Sequence, residues 1–332
     1  MTHSVIERII QRAVKANKRI VLPESEDTRV LQAAGEVLAC NYAKVVLLGD
    51  EDKIKANARQ LALDLSGAEV VNHLTDGQRD RYVEVLYEQR KHKGMTRDNA
   101  EKLLQHPVYY GGAMVGQQRA DGMVAGSNCP TRDTIRSALF SVGCAEGNKT
   151  ISACSIVVTQ VPHLGMDGSL IFADTGVVPE PTAEQLADIA VSAAAACLAL
   201  LGVEPIVAML SFSTRGSAYS PSVQKVINAT RLAQAKQGQL KIDGELQLDA
   251  ALVEEVAQRK AKGSPVAGRA NTLIFPDLSC GNIAYKLVER LGGAMVLGPL
   301  LMGLTKPIND ISRGCKAEDI ALVAAITAVQ AI

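Results

Sequence analysis

The chain has 332 residues, more than the roughly 100 to 200 typical of one domain, so it reads as two domains or one large α/β domain. Lys plus Arg and Asp plus Glu number 35 each, and aromatic residues make up only 3% with no Trp. Balanced charge and scarce stacking surface exclude an electrostatically driven nucleic-acid or membrane-surface protein and point to a small-molecule partner.

The first twenty residues, MTHSVIERIIQRAVKANKRI, have the apolar spacing of an amphipathic helix with charges throughout, unlike a signal peptide. Short apolar runs then alternate with helix-period segments, the sequence form of βα units around a mostly parallel sheet. Strands are predicted at Ile20 to Leu22, Val45 to Leu48, Glu69 to Val71, Gly122 to Ala125, Ser155 to Thr159, Ile206 to Leu210, Thr272 to Phe275 and Ala294 to Leu297. Helices are predicted at Asp27 to Cys40, Asp80 to Lys91, Ser222 to Gln237 and Asp319 to Ala331. The most apolar stretch, Ile189 to Leu201, is dominated by alanine and is shorter than the ~20 residues a membrane helix needs. Seven Cys without CxxC spacing and five scattered His read as reduced intracellular thiols, a cytoplasmic location and no structural metal.

Phosphate-binding signatures are mostly missing. There is no GxGxxG, and GCAEGNKT at 143 to 150 fails P-loop spacing, so it reads as a turn leading into the strand at Ser155. What remains is three loops rich in Gly, Ser and Asn that follow strands: AGSNCPTRDT at 125 to 134, SFSTRGSA at 211 to 218 and PDLSCGN at 276 to 282. Ligands of open α/β sheets bind beyond the carboxyl ends of strands, so Ser127, Thr131, Ser213, Thr214, Gly281 and Asn282 are candidate substrate-binding groups. Each loop reads equally well as a helix cap or a turn.

The segment Lys306 to Asp319, KPINDISRGCKAED, gathers Ser312, Arg313, Cys315 and Asp319 between Pro307 and the last predicted helix. A planar guanidinium at Arg313 suits bidentate grip on a phosphate. Asp319 suits either a base or a first-turn helix carboxylate, and Cys315 lacks a defined His partner for nucleophilic work.

Six ordered blocks, RIVLPESEDTR (19 to 29), YEQRKHKGMT (87 to 96), AMLSFSTRGSA (208 to 218), IDGELQLDAA (242 to 251), SPVAGRANTLIFPDLSCGNIAYK (264 to 286) and KPINDISRGC (306 to 315), resemble the phosphate acetyl/butyryltransferase family across nearly the whole chain. The terminal block resembles the phosphate acetyltransferases most. The resemblance implies two three-layer α/β/α domains with mostly parallel sheets and an inter-domain cleft, as in the isocitrate/isopropylmalate dehydrogenase-like fold. One domain would comprise residues 1–147 plus 302–332, with the second, 148–301, inserted into it.

It implies reversible acetyl transfer between acetyl phosphate and coenzyme A by direct thiolate attack, with coenzyme A as substrate and no bound cofactor. It further implies a place in acetate metabolism, a homodimer, and neither nucleic-acid nor membrane partners. On the matching motifs Ser312 would stabilise the transition state, Arg313 hold the phosphoryl group and Asp319 take the thiol proton. Arg29, Arg90 and Arg136 would bind coenzyme A, and Tyr285 in the fifth block joins the substrate-binding set.

A carboxyl of pKa about 3.9 facing a thiol of about 8.5 is uphill by about 6 kcal/mol, which requires concerted deprotonation or a carboxyl raised by burial. The alternatives are a phosphate butyryltransferase, differing in pocket size, and a non-catalytic acyl-CoA-sensing domain. An isocitrate-type dehydrogenase is disfavoured by the lack of a recognisable paired-Asp metal site.

Overall fold

The computed structural model describes residues 4–332. Its strands, in chain order, are β1 (Arg19–Leu22), β2 (Lys44–Leu48), β3 (Glu69–Val71), β4 (Gly122–Ala125), β5 (Ser152–Val158), β6 (Ser169–Ala173), β7 (Ile206–Leu210), β8 (Lys241–Leu246), β9 (Thr272–Ile274), β10 (Met295–Met302) and β11 (Ile308–Asp310). The α-helices are α1 (Ser4–Ala16), α2 (Thr28–Ala39), α3 (Glu51–Gln60), α4 (Arg79–Arg90), α5 (Arg97–Leu103), α6 (Pro107–Gly116), α7 (Thr131–Ser141), α8 (Ala183–Leu201), α9 (Pro221–Lys236), α10 (Leu248–Leu252), α11 (Glu254–Lys260), α12 (Leu278–Gly292) and α13 (Ala317–Gln330). Of the expected N-terminal helix, residues 1–3 lie outside the described residues.

The chain separates into two compact units, one of residues 1–7 and 146–303 and the other of residues 8–145 and 304–332. The second of these, the outer unit, has chain on both sides of the 146–303 stretch and is built on a five-stranded sheet of order β11-β4-β1-β2-β3. Every pairing in it is parallel. Continuous apolar runs such as VVLL in β2, buried on both faces, are what a parallel sheet covered by helices demands. Val21, Val46, Met123 and Ile308 from four strands pack with Tyr110 and Met114 of α6.

Strand order runs from β1 towards β3 on one side and towards β4 and β11 on the other. The reversal opens a crevice at the carboxyl ends of β1 and β4, where ligands of such sheets bind. Strand β11 is tied to α13 by Asn309, whose Nδ2 donates to Thr327 Oγ1 at 2.8 Å and Gln330 Oε1 at 2.6 Å. Gly122 lets that helix come close, since a Cβ there would lie 2.6 Å from the Thr327 methyl.

The inserted unit carries a six-stranded sheet of order β10-β5-β6-β9-β7-β8. Its β6, β9, β7 and β8 run parallel, but β5 is antiparallel to both β10 and β6. The second core, around Leu170, Phe172, Leu246, Leu273 and Phe275, lies on this sheet.

Several sequence boundaries need correction. Strand β5 starts at Ser152, three residues before the expected Ser155, and β10 runs on to Met302 across an irregularity between Leu297 and Leu300. Strands β6, β8 and β11 went unforeseen. Helix α8 spans 19 residues, not the 13 of Ile189 to Leu201, and is long and apolar enough to cross a bilayer. It is nonetheless 61% buried over its most apolar window and packs on α9 and β6 as a core helix. Asp319 does not open the last helix: α13 begins at Ala317, two residues earlier.

Candidate active site

Three loops of the outer unit leave adjacent strands at the carboxyl edge of the sheet: 23–27 after β1, 126–130 after β4 and 311–316 after β11. Glu24, 8% exposed, organises the middle one. Its Oε2 accepts from Gly126 N at 2.8 Å, Ser127 N at 3.0 Å and Ser127 Oγ at 3.1 Å; its Oε1 accepts from Asn128 N at 2.9 Å and Cys129 N at 2.7 Å. Four successive main-chain donors thus converge on one carboxylate, an arrangement that satisfies both partners away from water. Gly126 sits at φ +108°, and a Cβ on it would overlap Asp310 Oδ1, so glycine is required at this bend.

Arg29, in the first turn of α2, joins the three loops. Its Nε and Nη2 donate to Asp27 Oδ1 at 3.1 Å and Oδ2 at 2.7 Å. Nη2 also reaches Ser127 O at 2.9 Å, while Nη1 reaches Arg313 O at 2.7 Å and Cys315 O at 2.9 Å. All five donors of the guanidinium are therefore occupied by the chain itself. Burial opposes ionisation of Asp27, but hydrogen bonds and charge from Arg29 outweigh it and hold that carboxyl below its ordinary value.

Arg313 contrasts with Arg29. Its side chain is exposed, forms no ion pair among the described residues, and projects from a loop pinned through its own carbonyl. Ser312 is exposed beside it, its Oγ accepting from Gly314 N at 3.2 Å. Cys315 is buried and burial pushes its thiol up, which argues against a nucleophilic thiolate. Asp319 is exposed, and its Oδ2 accepts from Lys316 N at 2.8 Å, so it caps α13 from the third helical position. The opening residues of the expected segment are structural, with Lys306 Nζ donating to Val115 O at 2.9 Å and 308–310 forming β11.

Thr131, the first residue of α7, is exposed and donates from Oγ1 to Asp310 Oδ2 at 2.7 Å. Asp310, last residue of β11, is 5% exposed, and its Oδ1 has no hydrogen-bond partner. Burial raises its carboxyl above the ordinary value against the pull of the Thr131 and Thr134 hydroxyls.

Arg90 and Arg136 line a separate groove of the outer unit, of about 670 Å³, together with Lys93, Lys102 and His106. Both guanidinium groups lie over the Phe140 ring, at 4.0 and 5.1 Å from its centroid. Neither forms a salt bridge with a carboxylate among the described residues, so the groove presents net positive charge held on an aromatic platform.

The remaining candidates belong to the inserted unit. Ser213 is fully buried and Thr214 is 4% exposed. Ser213 Oγ donates to Glu245 Oε1 at 2.8 Å, and Gly216 N adds a second bond to that oxygen at 2.7 Å. Thr214 Oγ1 accepts from Gln247 N at 2.9 Å. Gly281 is a close-approach glycine, because a Cβ there would overlap Asp174 O. Asn282 Nδ2 donates to Thr175 O at 3.3 Å, and Tyr285 packs half-buried on the unit's core.

Glu24, Asp27 and Asp310 escaped the sequence reading, although the first two sit in the quoted block PESEDTR and the third two residues before Ser312. The available signal, for Glu24 alone, was an acid set close behind the apolar strand β1. Among the described residues no three His, Cys, Asp or Glu side chains gather as metal ligands.

A family model described as Phosphate acetyl/butaryl transferase matches residues 4–328. The phosphate acetyltransferase of Acetivibrio thermocellus is 50% identical over 328 residues, covering 99% of this chain and 98% of that protein. A phosphotransacetylase structure from Streptococcus pyogenes matches with TM-score 0.93 at 38% identity, over 99% of this chain and 98% of that one. The EutD phosphotransacetylase structure from Staphylococcus aureus matches with TM-score 0.91 at 40% identity, over 100% and 99%.

Proposed function

The chain belongs to the phosphate acetyl/butaryl transferase family, and on that premise we propose how its residues carry out the family's chemistry. It is an acyltransferase, a phosphate acetyltransferase that moves an acetyl group reversibly between acetyl phosphate and coenzyme A. The thiolate of coenzyme A attacks the acetyl carbonyl directly. Acetyl phosphate is already activated, so the protein has to align two substrates, remove one proton and stabilise negative charge.

Arg313 takes the phosphoryl group as a bidentate donor, and Ser312 donates a hydrogen bond to the charge that develops at the carbonyl. The observation that carries this assignment is the contrast between the two arginines: Arg29 is fully occupied in holding the loops, while the exposed Arg313 guanidinium forms no ion pair among the described residues. Asp319 takes the thiol proton in step with attack. Its carboxylate already accepts from Lys316 N, so it works from a fixed position at the start of α13.

Coenzyme A lies with its phosphates on Arg90 and Arg136, a reading supported by the basic groove over Phe140. Thr131 touches substrate, whereas Arg29 and Ser127 shape the substrate loops of the outer unit; Ser213, Thr214, Gly281 and Asn282 shape those of the inserted unit, where Tyr285 lies beside Asn282. Domains of 1–147 plus 302–332 and of 148–301 belong to the same reading, supported by two separate sheets. So does a homodimer, supported by the exposed apolar row Ile283, Leu287 and Leu291 on α12. Seven cysteines outside any disulfide support a cytoplasmic location, and no bound cofactor enters the scheme.

The decisive assay is acetyl-CoA formation from acetyl phosphate and coenzyme A, with butyryl phosphate as the competing substrate. Ser312→Ala and Asp319→Asn are expected to lower kcat by about 10²-fold with little change in KM for coenzyme A. Arg136→Ala is expected to raise that KM about tenfold instead. Equal effects of Asp319→Asn on kcat and KM would remove it as the base.

A further inference from the structure

We propose that Asp310, acting through the Thr131 hydroxyl, carries the proton that the phosphate oxygen gains or loses during acyl transfer. The inference rests on the acetyltransferase reading and adds a positioning residue to it.

The reaction needs such a group. Acetyl phosphate is a dianion near neutral pH, so its phosphate would depart as a trianion unless the bridging oxygen is protonated as the C–O bond breaks. In the opposite direction hydrogen phosphate must shed a proton as its oxygen attacks acetyl-CoA. Arg313 cannot supply or accept that proton, because a guanidinium stays protonated in proteins. Asp319 is engaged with the thiol.

Thr131 and Asp310 have the geometry. Thr131 is exposed at the first position of α7, one loop from Arg313, and its Oγ1 lies 2.7 Å from Asp310 Oδ2. Behind it Asp310 is 5% exposed with Oδ1 unpartnered, whereas nearby Glu24 is saturated by five donors. Two carboxyls in such different surroundings divide their roles. Glu24 is committed to its five donors as a loop anchor, and Asp310 is the one with an oxygen left open. Burial raises the Asp310 carboxyl; the groups facing it are Glu24 from the loop after β1, Cys129 and the Thr134 hydroxyl beyond β4, and Arg313 from its own loop.

With Asp310 protonated, Oδ2–H donates to Thr131 Oγ1 and leaves the Thr131 hydroxyl hydrogen for the ligand. As the sulfur–carbon bond forms and the carbon–oxygen bond breaks, the electron pair passes to the phosphate oxygen. That oxygen takes the Thr131 proton, and Thr131 takes the proton of Asp310. Hydrogen phosphate leaves, and the Asp310 carboxylate regains a proton from water by the same hydroxyl. The thiol proton departs through Asp319, so one proton enters and one leaves per turnover. The reverse reaction runs the relay backwards.

The test compares wild type, Thr131→Val, Thr131→Ser and Asp310→Asn for acetyl-CoA formation from acetyl phosphate and coenzyme A across mildly acidic to alkaline pH. Expected are kcat losses of about 10²-fold in Thr131→Val and Asp310→Asn, KM for coenzyme A within about twofold, and near wild-type kcat in Thr131→Ser. Wild type is expected to lose kcat at alkaline pH, and Asp310→Asn to show no such fall. Wild-type kcat in Thr131→Val, an alkaline limb retained in Asp310→Asn, or a KM that rises as much as kcat falls would each overturn the relay. Should Asp310→Asn not fold, Thr131→Val, at an exposed position, decides alone. A wild type that forms no acetyl-CoA refutes the acetyltransferase reading and the relay with it; an active wild type beside an undiminished Thr131→Val refutes the relay only.

Discussion

The loop after β4 in the outer unit and the loop after β7 in the inserted unit are both built from small polar residues and glycine, yet their polar groups are used in opposite ways. Each is folded around a buried acid, Glu24 in one and Glu245 in the other. Glu24 takes four main-chain N–H groups and one hydroxyl, so most of the bonding is done by backbone and the neighbouring Thr131, Ser312 and Arg313 stay exposed. Glu245 takes the Ser213 hydroxyl itself, and Ser217 and Gln247 engage Thr214. A loop folded by its backbone keeps side chains for a ligand; a loop folded by its side chains has few left to offer.

The sharpest way to break this contrast is at Arg313. Arg313→Gln is expected to lower kcat about 10² to 10³-fold while leaving the unfolding midpoint in urea unchanged, and Arg313→Lys to recover only part of the loss. A large stability change would mean that Arg313, like Arg29, serves the chain. Next comes Glu24→Ala, which strands several buried donors and should cost about 3 kcal/mol, read as lost hydrogen-exchange protection of the amides of residues 126–129. Unaltered protection would show that the loop folds without its acid.

Ser213→Ala sharpens the comparison from the other side. It is expected to cost about 1 to 2 kcal/mol of stability, with KM for both substrates close to wild type. A selective rise in one KM would return Ser213 to the ligand. The smallest effect concerns Asp310. Because its folded carboxyl titrates above the unfolded one, its contribution is fully present at pH below the unfolded value and is lost as pH rises through the raised folded value. Asp310→Asn should therefore melt slightly higher than wild type at neutral pH, a gain that shrinks as pH falls towards the unfolded value. A lower melting temperature at neutral pH would contradict the raised carboxyl.

What could be read without coordinates follows from the same distinction. β1, β3, β4 and β7 announce themselves because each is an apolar run bounded by turn residues, and α2 because Asp27 stands where an N-cap must. β8, KIDGEL, hides because an edge strand tolerates charges and a glycine that break its alternation. β11 is three residues long and two of them are polar, buried only because Asn309 bonds to α13 and Asp310 to α7. No local period encodes partners that far away. Arg313 and Ser312 were legible as a motif, but Glu24 and Asp310 were not, since their partners include main-chain groups and a residue 179 positions distant. Arg29 was legible in its block, but the three loops its guanidinium ties together were not.

The position of β11 also sets an order on biosynthesis. Strands β5 to β10 lie within residues 152–302, so the inserted unit's sheet is complete once that stretch has left the ribosome. The outer sheet is not: β4 ends at Ala125, and the strand that pairs with it begins only at Ile308. Until then β4 waits with an open edge, and the loop bearing Ser312 and Arg313 does not yet exist. The sheet begun first is thus the one closed last.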